Sequence, residues 1–192
     1  MNKEKPTKED AQNAIKTIIE YIGDDANREG VHETPARVLK SYVEIFSGYN
    51  ANVSSILNKK FHDISGFDDL VMLRSVRFNS VCEHHMLPFS GRVDIAYMSN
   101  GFVVGVSKLA RLVDAFAKRL QIQEKMTAQI ASALQEHLEP KGVAVRVVAN
   151  HTCMSVRGVA KEGSVMESVY YTGEFKNNAE KRSEFLSLIK SN

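Results

Sequence analysis

The order of apolar patterns along the chain constrains its fold more than any other feature. Two consecutive segments, 107–120 and 123–138, carry apolar residues at helical spacing and predict amphipathic helices. Segments rich in branched and aromatic residues flank these helices and predict strands over 70–78, 91–98, 143–151 and 164–175. Residues 177–190 predict a closing helix. Two helices between two pairs of strands predict an α+β fold, with an antiparallel four-stranded sheet and helices on one face.

The first 48 residues predict a separate helical segment. Thr7 is a suitable N-cap for a helix whose apolar residues recur every three or four positions from Ala11 to Ile22. A second helix start is indicated by Thr34 as an N-cap, because proline follows at the first helical position. We therefore expect an N-terminal helical segment over 1–48 and a larger domain over 49–192.

Composition limits the classes of protein to which the chain can belong. The chain has 192 residues, of which 43% are hydrophobic, enough for a sizeable core. Its formal net charge is only +2, which argues against a surface built to bind nucleic acid. The charged N-terminus and the lack of a long apolar run predict neither secretion nor membrane insertion. We therefore expect a cytoplasmic globular protein.

A run of metal-binding residue types lies between the first two predicted strands. Cys82 and His85 have the C-x-x-H spacing that lets one turn bring both side chains to one metal, and Cys153 can supply a third ligand. Two thiolates and one imidazole favour zinc. A disulfide between the two cysteines is the weaker alternative in a reducing cytosol. Three protein ligands predict a catalytic zinc. One alternative is a structural zinc whose fourth ligand is His84, His151 or Glu83, and the other is that no metal binds.

Two further histidines lie beside the predicted ligands. His84 adjoins His85, and His151 is two residues from Cys153, so each imidazole is expected near the metal. Histidine is the most common general acid or base in enzymes, which makes this pair candidates for proton transfer. The alternative for each is an ordinary surface histidine or one that orients a ligand.

Polar residues at two predicted helix starts are candidates for binding a nucleotide. Glu124, beside Gln123, has two acceptor oxygens that match the adjacent donors of a guanine edge, although a carboxylate is also favourable in any first helical turn. Free backbone N–H groups at a helix start favour anions, so phosphate could bind at residues 107–111. The candidate phosphate contacts are Ser107, Lys108, Arg111, Arg157, Arg37 and Lys40. Singly, such groups are more often solvated surface charges.

Four motifs in fixed order carry a resemblance to a known family. They are C-E-H-H at residue 82, S-K-L-x-R at residue 107, Q-x-Q-E at residue 121 and H-x-C-M-x-x-R-G at residue 151. Together with the segment 28–42, REGVHETPARVLKSY, they resemble GTP cyclohydrolase I, and the resemblance covers the chain from about residue 10. It implies the tunnelling fold and an enzyme that converts GTP and water to 7,8-dihydroneopterin triphosphate and formate, the first step of tetrahydrofolate or pterin biosynthesis.

The resemblance also implies a role for each candidate residue. Cys82, His85 and Cys153 would bind Zn²⁺, His84 and His151 would act as acid and base, and Gln123 with Glu124 would read guanine. The six basic and hydroxyl residues named above would face the triphosphate. The resemblance further implies a homodecamer of two stacked pentameric rings, with active sites at subunit boundaries.

Three positions depart from the family pattern, and two other functions compete with the one it implies. Asn150 replaces a residue that is often acidic, and Met166 and Ser168 fall where a Ser-x-Thr-x-Thr run is usual. One alternative function is a catalytically silent zinc-stabilised module that binds a nucleotide or pterin. The other is an enzyme of the same fold that acts on a different pterin or a deazapurine.

Overall fold

A computed structural model describes residues 5–190 and divides the chain into two compact units, one ending at Ser47 and the other beginning at Gly48. The elements in chain order are α1 (Lys8–Tyr21), α2 (Thr34–Ile45), a 3-10 turn (Ser47–Asn50), α3 (Val53–Leu57), β1 (Lys60–Phe61), β2 (Leu70–Cys82), β3 (Pro88–Met98), β4 (Val103–Val104), α4 (Val106–Ala117), β5 (Leu120–Gln121), α5 (Gln123–Leu138), β6 (Gly142–His151), α6 (Thr152–Ser155), β7 (Met166–Tyr171), α7 (Gly173–Asn177) and α8 (Ala179–Lys190). None of the helices within the described residues has the length and apolar character needed to span a membrane.

The N-terminal unit contains α1 and α2. Thr7 caps α1 as predicted, since its hydroxyl accepts from the backbone of Asp10 while the Asp10 carboxylate accepts from the backbone of Thr7. The prediction of Thr34 as an N-cap is wrong, because Thr34 is the first helical residue and Glu33 is the cap. A small cluster around Ile19 and Val31 forms the core of this unit.

The second unit is built on a sheet with the strand order β5-β2-β3-β6-β7. The pairs β2–β3, β3–β6 and β6–β7 are antiparallel, whereas β5 pairs in parallel with the end of β2. The α+β class is confirmed, but the sheet has five strands instead of four. The fifth strand has only two residues, too few for an alternating pattern to reveal it in the sequence.

Helices pack against both faces of this sheet, although they cover the second face only in part, which corrects the prediction of helices on one face. Along β3, Ile95 and Tyr97 point into the main core beneath α4 and α5. The alternate residues Ala96 and Met98 contribute to a second cluster that contains Phe175 of α7 and Phe185 of α8. The remainder of this second face is a groove lined by polar side chains that include Arg77, Arg92 and Asn150.

The predicted strand over 164–175 ends earlier than expected. β7 stops at Tyr171, and Gly173 begins the short helix α7 with a φ of +50°. A Cβ atom at Gly173 would lie 2.1 Å from the carbonyl oxygen of Lys141, so that only glycine fits this close approach. The strand prediction for its last residues is therefore wrong.

A charged network joins β3, β6 and the edge strand β7 on the second face. Arg146 on β6 donates to Asp94 on β3 at 3.1 Å and to Glu167 on β7 at 3.0 Å. Asp94 is 3% exposed and also accepts from the backbone of Ser75, at an irregularity in β2 where the chain has a positive φ. The Arg146 guanidinium lowers the pKa of Glu167 below its ordinary value.

Candidate active site and metal centre

The ends of two strands bring the predicted metal ligands together. Cys82 is the last residue of β2, and β6 ends at His151, directly before the short helix α6 that carries Cys153. Both strands pair with β3, where Pro88 is opposite Val81 and Phe89 is opposite His151. Strand pairing therefore places the C-terminal ends of β2 and β6 close together at the same end of the sheet.

A tight turn folds the Cys-His run back on itself. The backbone of Cys82 donates to the carbonyl of Leu87 at 2.8 Å, and that of Met86 donates to the carbonyl of Cys82 at 2.9 Å. Met86 adopts a positive φ of 55°, which is uncommon for a residue with a side chain. The turn brings the His85 ring close to the thiol of Cys82, three residues earlier in the chain.

Cys82, His85 and Cys153 form a group that can hold a metal ion. Their ligand atoms all lie within 4.8 Å of one another, and His85 Nδ1 is 3.8 Å from Cys82 Sγ. Tetrahedral zinc with its usual bond lengths would separate a sulfur and a nitrogen ligand by about 3.6 Å, so the donor set and spacing fit this metal. The hydroxyl of Thr152 anchors the start of α6 by donating to the carbonyl of Pro88 at 2.6 Å.

Burial and neighbouring groups shift the pKa of the Cys153 thiol. Burial raises the pKa of Cys153, and the neighbouring Cys82 raises it further, whereas Arg157 acts in the opposite direction. Arg157 lies 3.2 Å from Nε2 of His85. The predicted phosphate contact Arg157 is thus beside the metal group.

The two candidate acid/base histidines have different surroundings. His84 is exposed, with Nδ1 3.9 Å from Cys82 Sγ. His151 is half-buried, stacks on Phe89 at a centroid distance of 4.5 Å, and contacts Oε1 of Gln123 through Nε2 at 2.8 Å. Burial lowers the pKa of His151 below its ordinary value, and Glu124 has a smaller, opposite effect.

The start of α5 lies beside the metal-binding turn. β5 pairs Gln121 with Cys82, and the backbone of Glu83 donates to the carbonyl of Gln121 at 3.0 Å. Glu124 is exposed in the first turn of α5 and is available to a ligand. Gln123 is 0% exposed and its amide is hydrogen-bonded to protein groups, so its side chain offers no free group to a guanine edge.

The remaining phosphate candidates lie on two other helices. Ser107, Lys108 and Arg111 belong to the first half of α4, where Ser107 and Arg111 are exposed. Arg37 and Lys40 belong to α2 of the N-terminal unit, where Arg37 pairs with Glu33.

Sequence reasoning missed three contributors to this site. Phe89 stacks on His151, and Thr127 and Ser168 contact the Gln123 backbone and side chain, respectively. The apolar alternation of β3 marks Phe89 as inward-facing, but the chain offers no local signal that its partner is a histidine. Of the departures from the family pattern, Asn150 lines the polar groove, while Met166 and Ser168 accept hydrogen bonds from Gln123.

The fold and this site define an α+β protein with a candidate two-cysteine, one-histidine metal centre at the end of its sheet. The model of the family described as GTP cyclohydrolase I matches residues 11–190. The chain therefore belongs to the GTP cyclohydrolase I family, which confirms the resemblance inferred from its motifs.

Two relatives named GTP cyclohydrolase 1 agree with this assignment. A protein named GTP cyclohydrolase 1 from Rickettsia bellii (strain OSU 85-389) is 56% identical over 188 residues, covering 98% of each chain. One of the same name from Rickettsia prowazekii (strain Madrid E) is 55% identical over 185 residues, covering 96% of this chain and 97% of the relative. Among solved structures, the apo form of the archaeosine synthase QueF-Like matches with a TM-score of 0.45 and 22% identity, covering 56% of this chain and 96% of its own.

Proposed function

We propose that this protein converts GTP and water to 7,8-dihydroneopterin triphosphate and formate. The observation that carries the proposal is the group formed by Cys82, His85 and Cys153, whose ligand atoms lie within 4.8 Å of one another in a member of the GTP cyclohydrolase I family. His84 and His151 both lie beside these ligands, which supports a site for hydrolysis more than a purely structural metal.

We assign Zn²⁺ to this group, with Cys82, His85 and Cys153 as its protein ligands. Two sulfurs and one nitrogen suit zinc, and three protein ligands leave a position open. When bound, zinc would supply Lewis-acid activation of water for attack on the guanine imidazole ring. Cysteines that serve as metal ligands and do not form disulfides are typical of a reducing compartment, which supports a cytoplasmic location.

The histidines would move the protons that the reaction requires. Opening the imidazole ring of guanine needs a proton on a ring nitrogen, and rearrangement of the ribose needs protons to be removed and returned. His84 lies between the ligands Cys82 and His85, and His151 lies two residues before Cys153, so the two imidazoles can act in turn as acid and base. Glu124 would accept hydrogen bonds from the ring N–H and the exocyclic amine of guanine.

The triphosphate would be bound by residues from three segments. Ser107, Lys108 and Arg111 contribute from the start of α4, where backbone N–H groups favour anions, and Arg37 with Lys40 would contribute from α2. Arg157 lies 3.2 Å from Nε2 of His85. Coordination through Nδ1 would leave a proton on that Nε2, which then could not accept from Arg157, and the guanidinium would be free for phosphate.

Assembly would complete these sites. We propose a homodecamer of the tunnelling fold, in which 1–48 forms the helical segment and 49–192 the catalytic domain. β5 and β7 are the edge strands of the described sheet, and edges of this kind are normally covered or joined to another chain. Co-assembly of two inactive variants, Cys153→Ser and Arg37→Ala, should restore activity if the two residues serve one site from different subunits. A decamer without restored activity would place both residues in the same subunit's site.

The reaction itself can be tested directly. Purified, zinc-loaded protein incubated with GTP should release formate and produce a pterin chromophore, while the His84→Ala variant should retain zinc and lose turnover by about 100-fold or more. GTP binding without formate release would favour a catalytically silent module of the same fold. Loss of zinc from His84→Ala would make His84 a ligand and favour a closed, structural site.

A further inference from the structure

We propose that Gln123 is a positioning residue that places the proton of the neutral His151 ring on Nε2 and so leaves Nδ1 for the substrate. The inference rests on the proposed function, since it assigns a role to the acid/base histidine of that reaction. Gln123 would therefore orient His151, whereas its neighbour Glu124 remains the guanine-binding carboxylate.

Two backbone carbonyls determine the orientation of the Gln123 amide. Its Nε2 lies 3.1 Å from the carbonyl oxygen of Val147 on β6 and 3.1 Å from that of Met166 on β7. A carbonyl oxygen can only accept hydrogen bonds, so the amide NH₂ must face these two groups. The reverse orientation would place three oxygens together at a side chain that is 0% exposed, and unpaired buried acceptors are costly.

This orientation determines which nitrogen of His151 carries the proton. Oε1 of Gln123 faces Nε2 of His151 at 2.8 Å, and because an amide oxygen only accepts, the imidazole must donate there. In the neutral ring the lone pair is therefore on Nδ1. Within the described residues 5–190, His151 has no other side-chain hydrogen bond, so Nδ1 is the ring nitrogen left for proton transfer.

The ring plane is held by a second contact. Phe89 stacks on His151 with an interplanar angle of 7° and a centroid separation of 4.5 Å. These two residues are also direct partners in the β3–β6 pairing. Stacking fixes the plane of the imidazole, and the Gln123 hydrogen bond selects one of the two ring orientations related by a 180° flip, so the position of Nδ1 is determined before a ligand binds.

The hydroxyl groups of Thr127 and Ser168 also contact Gln123. Thr127 donates to the Gln123 carbonyl at 2.7 Å and lies 2.7 Å from the hydroxyl of Ser168. Since the Thr127 proton is committed, Ser168 must donate to Thr127. Ser168 Oγ, 3.1 Å from Nε2 of Gln123, is then a third acceptor that shares the two amide hydrogens with the carbonyls of Val147 and Met166. Ser168, a departure from the family pattern, thus belongs to the support of His151.

A double-mutant cycle tests this role. Replacing Gln123 with Leu should lower kcat for GTP by about 10- to 100-fold, the range for removing a group that orients a catalytic ligand, with KM changed by less than about twofold and zinc content unchanged. The double variant Gln123→Leu/His151→Ala should have the kcat of His151→Ala alone, because the first change acts through the second residue. Gln135→Leu, which removes another hydrogen-bonded amide on α5, should retain kcat and serves as the control.

Losses in kcat that multiply in the double variant would overturn the proposal. So would a rise in KM with kcat unchanged, which would make Gln123 a substrate contact, or an equal loss of kcat in the control, which would indicate a general effect on α5.

The parent protein provides a measurement that needs no active variant. Nitrogen-15 NMR of protein labelled in histidine, assigned by comparison with His151→Ala, should show the neutral His151 ring protonated at Nε2. A proton on Nδ1 would refute the proposal, even if Gln123→Leu failed to fold. Absence of GTP turnover by the parent would refute the proposed function instead, and this spectrum would still decide the tautomer.

Discussion

Replacing Phe89 with Leu should damage both the stability and the activity of the protein. Phe89 is 1% exposed and makes two aromatic contacts, a stack on His151 at 4.5 Å and an edge contact with Phe78 at 5.8 Å. Aromatic pairs contribute about 0.5 to 1.5 kcal/mol each beyond the area they bury, so losing both should lower the free energy of unfolding by about 1 to 3 kcal/mol. Loss of the stack should also let the imidazole tilt, and misplacement of a catalytic group should lower kcat about tenfold or more.

The matched control is Phe78→Leu, since Phe78 is also buried and loses only the contact between the two phenylalanines. Urea unfolding at one fixed protein concentration gives the stability of each variant, and GTP turnover gives its activity. Phe78→Leu should lose about 0.5 to 1.5 kcal/mol of stability and retain kcat within about twofold. If both variants lost kcat equally, the stack on His151 would have no special effect and the reasoning would be wrong.

Three further changes test the metal, the guanine contact and the charged network. Cys82→Ser and Cys153→Ser should each lose bound zinc, measured by elemental analysis, together with GTP turnover; full activity in a metal-free variant would exclude the proposed centre. Glu124→Gln should weaken GTP binding by about 1 to 3 kcal/mol with zinc retained, and unchanged affinity in a titration would reduce Glu124 to a helix-end carboxylate. Glu167→Gln should lose at most about 1 kcal/mol at pH 7, because the ion pair with Arg146 is partly exposed. The Arg146 guanidinium lowers the pKa of Glu167, so this contribution is present above the unfolded pKa and is lost as pH falls through the folded one. The two proteins should therefore become equally stable once the pH falls below the folded pKa of Glu167, and a difference that persisted there would contradict the ion-pair explanation.

The main elements could be predicted because their patterns are long and their periods distinct. Helices α4 and α5 and strands β2, β3 and β6 all form in the predicted segments, but the bounds differ: α4 ends at Ala117, Leu120 belongs to β5, and β2 continues to Cys82. The short strands β1, β4 and β5 have two residues each, fewer than one period of alternation, and only their tertiary partners reveal them. The sequence did not predict the helix α7, because the close approach of Gly173 to the backbone of Lys141 overrides the strand preference of the residues around it.

The metal group could be predicted for a different reason. Cys82 and His85 are close in sequence, and thiols and imidazoles have a strong chemical preference for zinc, so spacing alone was informative. The role of Gln123 could not be found in this way. Its three key partners are two backbone carbonyls and one imidazole from β6 and β7, and no residue type in the sequence signals a carbonyl that faces a side chain.

β3 lies between β2, which carries Cys82, and β6, which leads into the helix α6 that carries Cys153, and this arrangement has a consequence for biosynthesis. A growing chain presents Cys82 and His85 long before Cys153, because β6 and α6 are made only after α4 and α5. The third ligand reaches the others only when β6 has paired with β3, so a nascent chain would have an incomplete chelate until late in synthesis. Metal binding would then be one of the last steps in the folding of this domain, and it would occur only in chains in which β6 has already paired with β3.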